Sequence, residues 1–349
     1  MNTKLIVANS NDQLARELSY AADVIKSGGL VVFPTETVYG LGANATDALA
    51  AGKIYEAKGR PSDNPLIIHI AEPEDAEQYT ETNDTYYRLA AAFMPGPLTV
   101  ILKAKDTIPQ KTRASLPTVA VRCPSNQVAR ELIRLSGVPI AAPSANLSGS
   151  PSPTKVTHVI DDMMGRVDVI IDGGDCDFGL ESTIVKIDGE GELTLLRPGK
   201  ITVDDLLTVI ETVKIADAVT SALNEGDTVL SPGMKYRHYA PKAPLSLFDG
   251  DASSYSRFLS GRDRTKSIGA LVYSEDIEKI RALAPDVFLY DLGERSDEVA
   301  HARILFDILR DTDKHNFDEI YAPLPRQCGV GLALYNRLIR AAAYNIIRM

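Results

Sequence analysis

Two short polar segments carry side chains that could hold the phosphate groups of a nucleotide. The first segment, 58–65, reads K-G-R-P-S-D-N-P, so Lys58 and Arg60 flank a glycine and precede two rigid prolines. Two cations placed so close together suit a phosphate group. Cations at the end of a helix are also ordinary partners of the helix dipole, so the pair by itself leaves both interpretations open.

The second segment, 141–150, reads A-A-P-S-A-N-L-S-G-S and follows an apolar run. Its small hydroxyl and amide side chains, Ser144 and Asn146 among them, can bond phosphate or ribose without adding bulk. A nucleophilic serine is the alternative, but the sequence has no G-x-S-x-G turn and no obvious His–Asp pair to activate one. The segment therefore favours nucleotide binding.

A third group of candidates lies at the ends of apolar runs. The segment 34–42, P-T-E-T-V-Y-G-L-G, mixes hydroxyls, a carboxylate and two glycines, which suits a ligand-binding loop as well as a plain turn. His69 lies within an apolar run, where a histidine is usually a satisfied core residue. Arg122 and Arg197 end predicted strands, where either could contact a ligand or form a surface ion pair.

Several familiar signatures are absent from the sequence. No G-x-x-x-x-G-K-[ST] occurs, and the nearest dinucleotide fingerprint, at 329–331, has Leu334 in place of its third glycine. The five histidines and three cysteines show no ligand spacing. We therefore expect no metal site built by the protein, and Mg²⁺ would be carried by the phosphates.

Composition sets the outer limits of the interpretation. A chain of 349 residues predicts two domains, and a net charge of −10 argues against a broad basic face for nucleic acid. Three widely spaced cysteines predict no disulfide framework. Because no signal peptide and no apolar run of membrane-spanning length is found, we expect a cytoplasmic protein without a membrane partner.

A mixed succession of elements would position the candidates. Periodicity predicts helices at 12–26, 46–58, 85–93, 126–135 and 154–163. Apolar runs predict strands at 30–33, 66–70, 98–104, 119–123, 139–142, 167–172, 182–187 and 193–196. Because α–β alternation is mixed with strands adjacent in sequence, we expect an α/β domain built on an open, mixed, twisted sheet.

The last third of the chain has a cleaner pattern. Residues 203–222 look helical, whereas 224–244 have no amphipathic period and contain the basic-aromatic run M-K-Y-R-H-Y at 234–239. Strands at 245–248, 268–273, 287–291 and 319–322 then alternate with helices at 252–260, 277–283, 298–310 and 330–347. This alternation predicts a small parallel, Rossmann- or flavodoxin-like α/β domain. The predicted divisions are a catalytic domain at 1–212, a linker at 213–243 and a C-terminal domain at 244–349.

Taken in order, these motifs closely resemble the YrdC-type threonylcarbamoyl-AMP synthase family in its larger, two-domain form. The resemblance rests on P-T-E-T-V-Y-G-L-G at 34–42, K-x-R and P-x-x-N-P at 58–65, I-H-I at 68–70, P-G-P-L-T at 95–99, V-R-C-P at 121–124, P-S-A-N-x-S-G at 143–149, E-S-T-I-V at 181–185, L-R-P-G at 196–199 and S-P-G-M-K-Y-R-H-Y-A-P at 231–241. It covers nearly the whole chain, with specific motifs in the first two-thirds and architecture alone in the last third.

The resemblance implies that L-threonine, bicarbonate and ATP are converted to threonylcarbamoyl-adenylate and pyrophosphate. The adenylate would then feed the threonylcarbamoyl modification of the adenosine beside the anticodon of certain transfer RNAs. Threonylcarbamoyl-transfer proteins are possible downstream partners, and no stable binding of transfer RNA is expected.

The resemblance also implies roles for individual residues. Lys58 and Arg60 would be the catalytic cations. The ATP site would comprise Arg60, Asn64, Thr118, Ser144, Asn146, Ser152 and Arg197. The threonine site would comprise Thr37, His69, Arg122, Ala142 and Ser182, with Arg122 facing the substrate carboxylate. Tyr236, His238 and Tyr239 would fold over the nucleotide as a lid; a passive tether is the alternative.

Two other functions stay open on the sequence alone. One is the formation of carbamoyl-adenylate, as in hydrogenase-maturation carbamoyltransferases. Those proteins also resemble cysteine-rich zinc modules elsewhere in their chains, and the three scattered cysteines of this sequence cannot supply such a module. The other is an RNA-binding or ribosome-maturation factor. A pI near 5.1 and the lack of a basic-aromatic pattern outside the linker weigh against it.

Overall fold

A computed structural model describes residues 2–8, 12–221 and 239–348 of the chain. The chain divides into two compact units, the first at 1–148 and 152–235 and the second at 149–151 and 236–349. No helix in the described ranges is long and apolar enough to cross a membrane.

The first unit is built on one mixed sheet. Its described strands are β1 (Lys4–Val7), β2 (Val31–Phe33), β3 (Gly40–Asn44), β4 (Ile67–His69), β5 (Thr80–Glu81), β6 (Leu98–Ala104), β7 (Thr118–Arg122), β8 (Ile140–Ala141), β9 (Val169–Asp172), β10 (Thr183–Gly189), β11 (Glu192–Arg197) and β12 (Thr212–Ile215). The order across the sheet is β1-β9-β2-β3-β8-β4-β7-β6-β10-β11-β12, and β5 pairs with β6. The sheet contains parallel pairs such as β4–β7 and antiparallel pairs such as β6–β7, which confirms the mixed sheet.

Helices pack on this sheet, and apolar periodicity predicts all of them except the short helix at Ala76–Tyr79. They are α1 (Asp12–Lys26), α2 (Ala48–Lys58), α3 (Ala76–Tyr79), α4 (Asp84–Phe93), α5 (Gln127–Ser136), α6 (Val156–Met163) and α7 (Val203–Leu207), with 3₁₀ turns at Pro73–Asp75 and Asp217–Val219. Leu18 and Ile25 of α1 and Leu132 of α5 pack on Val31 and Val169 of the sheet. Burial of this apolar face stabilises the helices more than intrinsic propensity does.

Helix α2 has well-defined ends, and it carries Lys58. The Asp47 side chain accepts a hydrogen bond from the backbone N–H of Leu49 at 2.8 Å and so caps the first turn. Gly59 ends the helix in the left-handed region at φ 60°, and its N–H donates to Glu56 and Tyr55 carbonyls. These two caps fix where the chain leaves the helix next to Lys58.

The segment 34–42, expected to be a loop, ends in strand β3. Strand β3 pairs antiparallel with β2 and β8, so its backbone groups are bonded within the sheet. A side chain at Gly42 would lie 2.7 Å from Ile140 Cγ2 and 2.8 Å from the Phe33 ring, and glycine is needed for this close approach. The sequence pattern around these glycines favours a loop, whereas in the fold they let the strands pack closely.

The second unit contains a wholly parallel sheet. Its strands are β13 (Leu245–Asp249), β14 (Ile268–Val272), β15 (Phe288–Asp291), β16 (Glu319–Pro323) and β17 (Ile346–Arg348), in the order β15-β14-β16-β13-β17. The helices are α8 (Ala252–Ser260), α9 (Ile277–Leu283), α10 (Glu298–Asp311) and α11 (Gly331–Ala341), with 3₁₀ turns at Ser274–Asp276 and Thr312–Lys314. The parallel α/β architecture is confirmed, and its strand order, 3-2-4-1-5 within the unit, differs from the usual Rossmann order.

Two helix predictions are wrong in extent. The helix predicted at 203–222 stops at Leu207, and β12 then pairs in parallel with β11. The β-branched residues of β12 favour pairing with the open edge of β11 over continuing the helix. Strand β12 covers residues 212–215, so the first three residues of the predicted linker, 213–215, lie in the sheet. The domain bounds themselves stay a prediction.

The helix predicted at 330–347 also ends early, at Ala341. Ala343 and Tyr344 adopt left-handed backbone conformations, with φ 47° and 63°, which turn the chain out of the helix. Strand β17 then pairs in parallel with β13 at the edge of the sheet. These last apolar residues pair with the free edge of β13, which local periodicity does not indicate.

The Asp47 cap is expected to contribute measurably to stability. Replacement by alanine leaves the Leu49 N–H without its acceptor, so Asp47→Ala should lower the free energy of unfolding by about 1 kcal/mol in urea denaturation. Asp47→Asn keeps a capping oxygen and should stay within a few tenths of a kcal/mol of wild type. Equal losses in the two variants would contradict the capping role.

Candidate functional site

One face of the central sheet gathers the polar residues that the sequence placed far apart. Register pairs His69 of β4 with Arg122 of β7, and Arg122 with Thr99 of β6. Residues directly opposite in register project on the same face, so these three side chains share one surface. The Ser182 hydroxyl, just before β10, lies 2.8 Å from the Thr99 hydroxyl and extends the row.

Arg197 closes this row at the end of β11. Its Nε donates to the Ser182 carbonyl at 3.0 Å, and its Nη2 donates to the Ser182 hydroxyl at 3.1 Å. The guanidinium is 6% exposed, so Arg197 is a buried residue of the sheet end rather than a surface ion-pair partner. The structure therefore joins an ATP candidate, Arg197, to a threonine candidate, Ser182.

The Lys58 ammonium joins the two phosphate-binding segments. Its Nζ donates to the Ser144 carbonyl at 2.5 Å and to the Asn146 carbonyl at 2.6 Å. The Ser144 hydroxyl donates to Asn146 Oδ1 at 2.5 Å, and the Ser148 N–H donates back to the Lys58 carbonyl. Because Lys58 is only 3% exposed, these carbonyls replace the water that a buried ammonium has lost.

Arg60 and Asn64 lie together at the turn that follows α2. Arg60 Nη2 donates to the carbonyls of Asn64 and Pro65, each at 3.2 Å. The Asn64 side chain is 1% exposed, and its Oδ1 has no hydrogen-bond partner within the part of the chain that the structure describes. A buried amide oxygen without a partner is costly, which marks Asn64 as a group available to a ligand.

Arg122 forms a buried ion pair with Glu36. Its Nη2 donates to Glu36 Oε1 at 2.7 Å, and the two side chains are 5% and 7% exposed. The Glu36 backbone is fixed because its carbonyl accepts from the Phe178 N–H, while the Thr37 carbonyl accepts from the Gly179 N–H. Glu36 supplies the carboxylate of the 34–42 segment, and it is not among the site residues that the sequence predicts. Local spacing gave no sign that it would meet an arginine in β7.

His69 is held neutral. Burial, with a smaller contribution from the charge of Arg122, lowers the pKa of His69 to about 3. Its Nδ1 lies 3.2 Å from the Ile67 carbonyl, and its ring meets Phe33 edge-on at 6.0 Å. A neutral imidazole offers one donor and one acceptor nitrogen, which suits a hydroxyl partner better than a charged one.

The remaining candidates lie around this face in different ways. The Thr37 hydroxyl lies 2.9 Å from the Thr35 hydroxyl, and the Ala142 N–H donates to the Ile67 carbonyl of β4. The Ser152 hydroxyl donates to Glu181 Oε1 at 2.5 Å. Thr118 begins β7, four residues before Arg122, so it lies roughly 13 Å along the strand from that residue.

The three aromatic candidates of the linker are described unequally. Tyr236 and His238 lie outside the described residues. Tyr239 belongs to the second unit, where its buried ring stacks on Phe306 with centroids 5.0 Å apart and lies 5.9 Å from the Arg337 guanidinium. A role for these three residues at the nucleotide stays a prediction.

No cluster of three or more His, Cys, Asp or Glu side chains suited to a metal ion occurs among residues 2–8, 12–221 and 239–348. The Glu36 carboxylate is paired with Arg122. The chemistry available at this face is therefore that of buried cations, hydroxyls and one amide oxygen. Such a set binds and stabilises phosphate and carboxylate groups.

Comparison with known proteins gives matches over both units. The family model Sua5_yciO_yrdC, described as "Telomere recombination", matches residues 23–199, and the model "Threonylcarbamoyl-AMP synthase, C-terminal domain" matches residues 201–343. The chain is 41% identical over 352 residues to the threonylcarbamoyl-AMP synthase of Pyrococcus abyssi, covering 99% of each protein. It is 41% identical over 354 residues to that of Bacillus subtilis, covering 100% of each.

A solved structure resembles the whole chain. The crystal structure of P. abyssi Sua5 complexed with L-threonine superposes with a TM-score of 0.89 at 39% identity, covering 100% of both chains. The similarity therefore covers both units and not the first unit alone.

The low pKa of His69 predicts a pH-dependent stability. The unfolded chain takes up a proton near pH 6.5, whereas the folded chain resists it to about pH 3, so acid favours unfolding across that window. Relative to His69→Gln, wild type should lose about 2 kcal/mol of unfolding free energy between pH 7 and pH 5. Urea denaturation of both proteins at each pH measures this difference. Parallel curves for the two proteins would contradict a buried, neutral His69.

Proposed function

The chain belongs to the threonylcarbamoyl-AMP synthase family, and on that premise we propose that the face around Lys58, Arg60, Arg122 and Arg197 is its adenylation site. The protein is a nucleotidyltransferase that makes L-threonylcarbamoyl-adenylate and pyrophosphate from L-threonine, bicarbonate and ATP. This reaction is the first step of threonylcarbamoyl modification of the adenosine beside the anticodon in transfer RNA.

The observation that carries the site assignment is the Lys58 bridge to 144–146. It places an ammonium, a hydroxyl and an amide side chain within one hydrogen-bonded cluster, although Ser144 lies 86 residues after Lys58. We assign the triphosphate and ribose of ATP to this cluster together with Arg60, Asn64, Thr118, Ser152 and Arg197. Mg²⁺ enters bound to the ATP phosphates, because such complexes need few protein ligands.

The threonine side of the reaction is assigned to the row on β4, β7 and β10. Arg122 binds the α-carboxylate, neutral His69 bonds the substrate hydroxyl, and Thr37, Ala142 and Ser182 line the same site. Threonine's amine combines with bicarbonate to give a carbamate and water. A carbamate oxygen then attacks the α-phosphorus of ATP, and pyrophosphate leaves with the electrons of the broken P–O bond.

The described residues support a mechanism based on positioning and charge. As the α-phosphate reacts, negative charge builds on its oxygens and on the leaving pyrophosphate, and Lys58 and Arg60 would stabilise that charge. Lys58 would need no reorganisation, because its ammonium is already held by two carbonyls. We place the reaction in the cytoplasm, with threonylcarbamoyl-transfer proteins as the recipients of the product.

Loss of either cation should slow the chemistry strongly. Lys58→Ala and Arg60→Ala should each lower kcat/KM for pyrophosphate release by about 100-fold or more, since a preorganised charge is lost from the transition state. Lys53→Ala is the matched control, because Lys53 is on the same helix but is exposed and donates to the Gly28 carbonyl. An unchanged kcat/KM for pyrophosphate release in both variants would show that neither cation takes part in the reaction.

The substrate assignment has its own test. Pyrophosphate release from ATP should require both L-threonine and bicarbonate, and omission of either should reduce it to background. The measurement uses the wild-type full chain with MgATP. Release that continues without threonine would overturn the substrate while leaving the nucleotide site intact.

A further inference from the structure

The buried Glu36–Arg122 pair leaves one buried polar atom on each partner without a hydrogen bond. Arg122 Nη2 and Glu36 Oε1 meet at 2.7 Å. Within the described ranges, Arg122 Nε and Glu36 Oε2 are both buried and both lack a hydrogen-bond partner. The pair therefore presents one free donor on a cation and one free acceptor on an anion.

Unused charged atoms in a buried ion pair have a high cost. Leaving a buried donor or acceptor unsatisfied costs about 1–3 kcal/mol, and more for charged groups. Buried ion pairs are favourable when further hydrogen bonds satisfy their remaining atoms. A ligand that supplies a carboxylate to Arg122 Nε and an ammonium to Glu36 Oε2 would satisfy both at once.

The surroundings of the pair narrow the class of ligand. Nearby His69 is neutral, and Thr99 and Ser182 add hydroxyls in the same row. Glu36 is held by a backbone that is bonded to residues 178 and 179. A carboxylate fixed in this way beside Arg122 would repel a second carboxylate unless the ligand also brought a positive charge.

We propose that Glu36 is a specificity-determining residue: its Oε2 accepts the α-ammonium of threonine while Arg122 Nε donates to the α-carboxylate. The ion pair thus binds both the α-ammonium and the α-carboxylate of an amino acid. It also holds the amine that forms the carbamate in a fixed position. This inference rests on the proposed threonine site. It adds a residue that the assignment of that site did not include.

The test compares L-threonine with (3R)-3-hydroxybutyrate, which keeps the carboxylate and hydroxyl but lacks the amine. Calorimetry on the full chain should show wild type binding threonine at least tenfold more tightly than the hydroxy acid. Glu36→Gln, which keeps size but loses charge, should weaken threonine binding at least tenfold. The same variant should change binding of the hydroxy acid less than threefold.

The matched control is Glu72→Gln. Glu72 also pairs with arginines, Arg130 at 2.6 Å and Arg134 at 2.8 Å, so its replacement breaks ion pairs away from the Glu36–Arg122 pair. It should leave both affinities unchanged. If Glu36→Gln does not fold, Glu36→Asp, which keeps the charge but retracts it, should retain a threonine preference that is smaller than that of wild type.

The outcomes separate this inference from the proposed function. Equal weakening of both ligands by Glu36→Gln would show a structural effect acting through Arg122, and would overturn the ammonium contact alone. So would a wild type that binds the hydroxy acid as tightly as threonine. A wild type that binds no threonine would overturn the proposed function as well.

Discussion

Burial of positive charge is the constraint on which this site depends. Lys58, Arg122 and Arg197 are each at most 6% exposed, and a buried cation is tolerated only where oxygen acceptors replace its water. For Lys58 and Arg122 the acceptors come from segments 86 residues away along the chain, namely carbonyls of 144–146 and a carboxylate of the 34–42 segment. For Arg197 they come from Ser182, beside the neighbouring strand β10. The cations therefore join the segments that form the site.

The mixed sheet makes these pairings possible. Strands β4 and β7 are parallel to each other. Each also has an antiparallel neighbour, β8 beside β4 and β6 beside β7. The order β8-β4-β7-β6-β10-β11 brings polar residues between 69 and 197 of the sequence onto one face. Short strands suffice because each contributes one or two polar side chains near its end, while apolar residues such as Ile67, Ala120 and Ile184 pack against one another.

Local signals predicted much of the framework. Helices α1, α8 and α9 have the predicted bounds, because helical periodicity depends on residues a few positions apart. The errors came where an open sheet edge competed with a helix, as at β12 and β17. Strand β3 was hidden because its glycines serve close packing against Phe33 and Ile140, which no local pattern reveals.

The sequence by itself determined the chemistry available: the types, order and spacing of Lys58, Arg60, Ser144, Asn146 and Arg122, and hence the family resemblance. Only the tertiary structure decided which of these meet, that His69 is neutral, and that Glu36 pairs with Arg122. The physical reason is range. Spacing along the chain fixes contacts over one or two helical turns, whereas pairs 86 residues apart depend on strand order and register, which arise only when the whole sheet buries its apolar faces together.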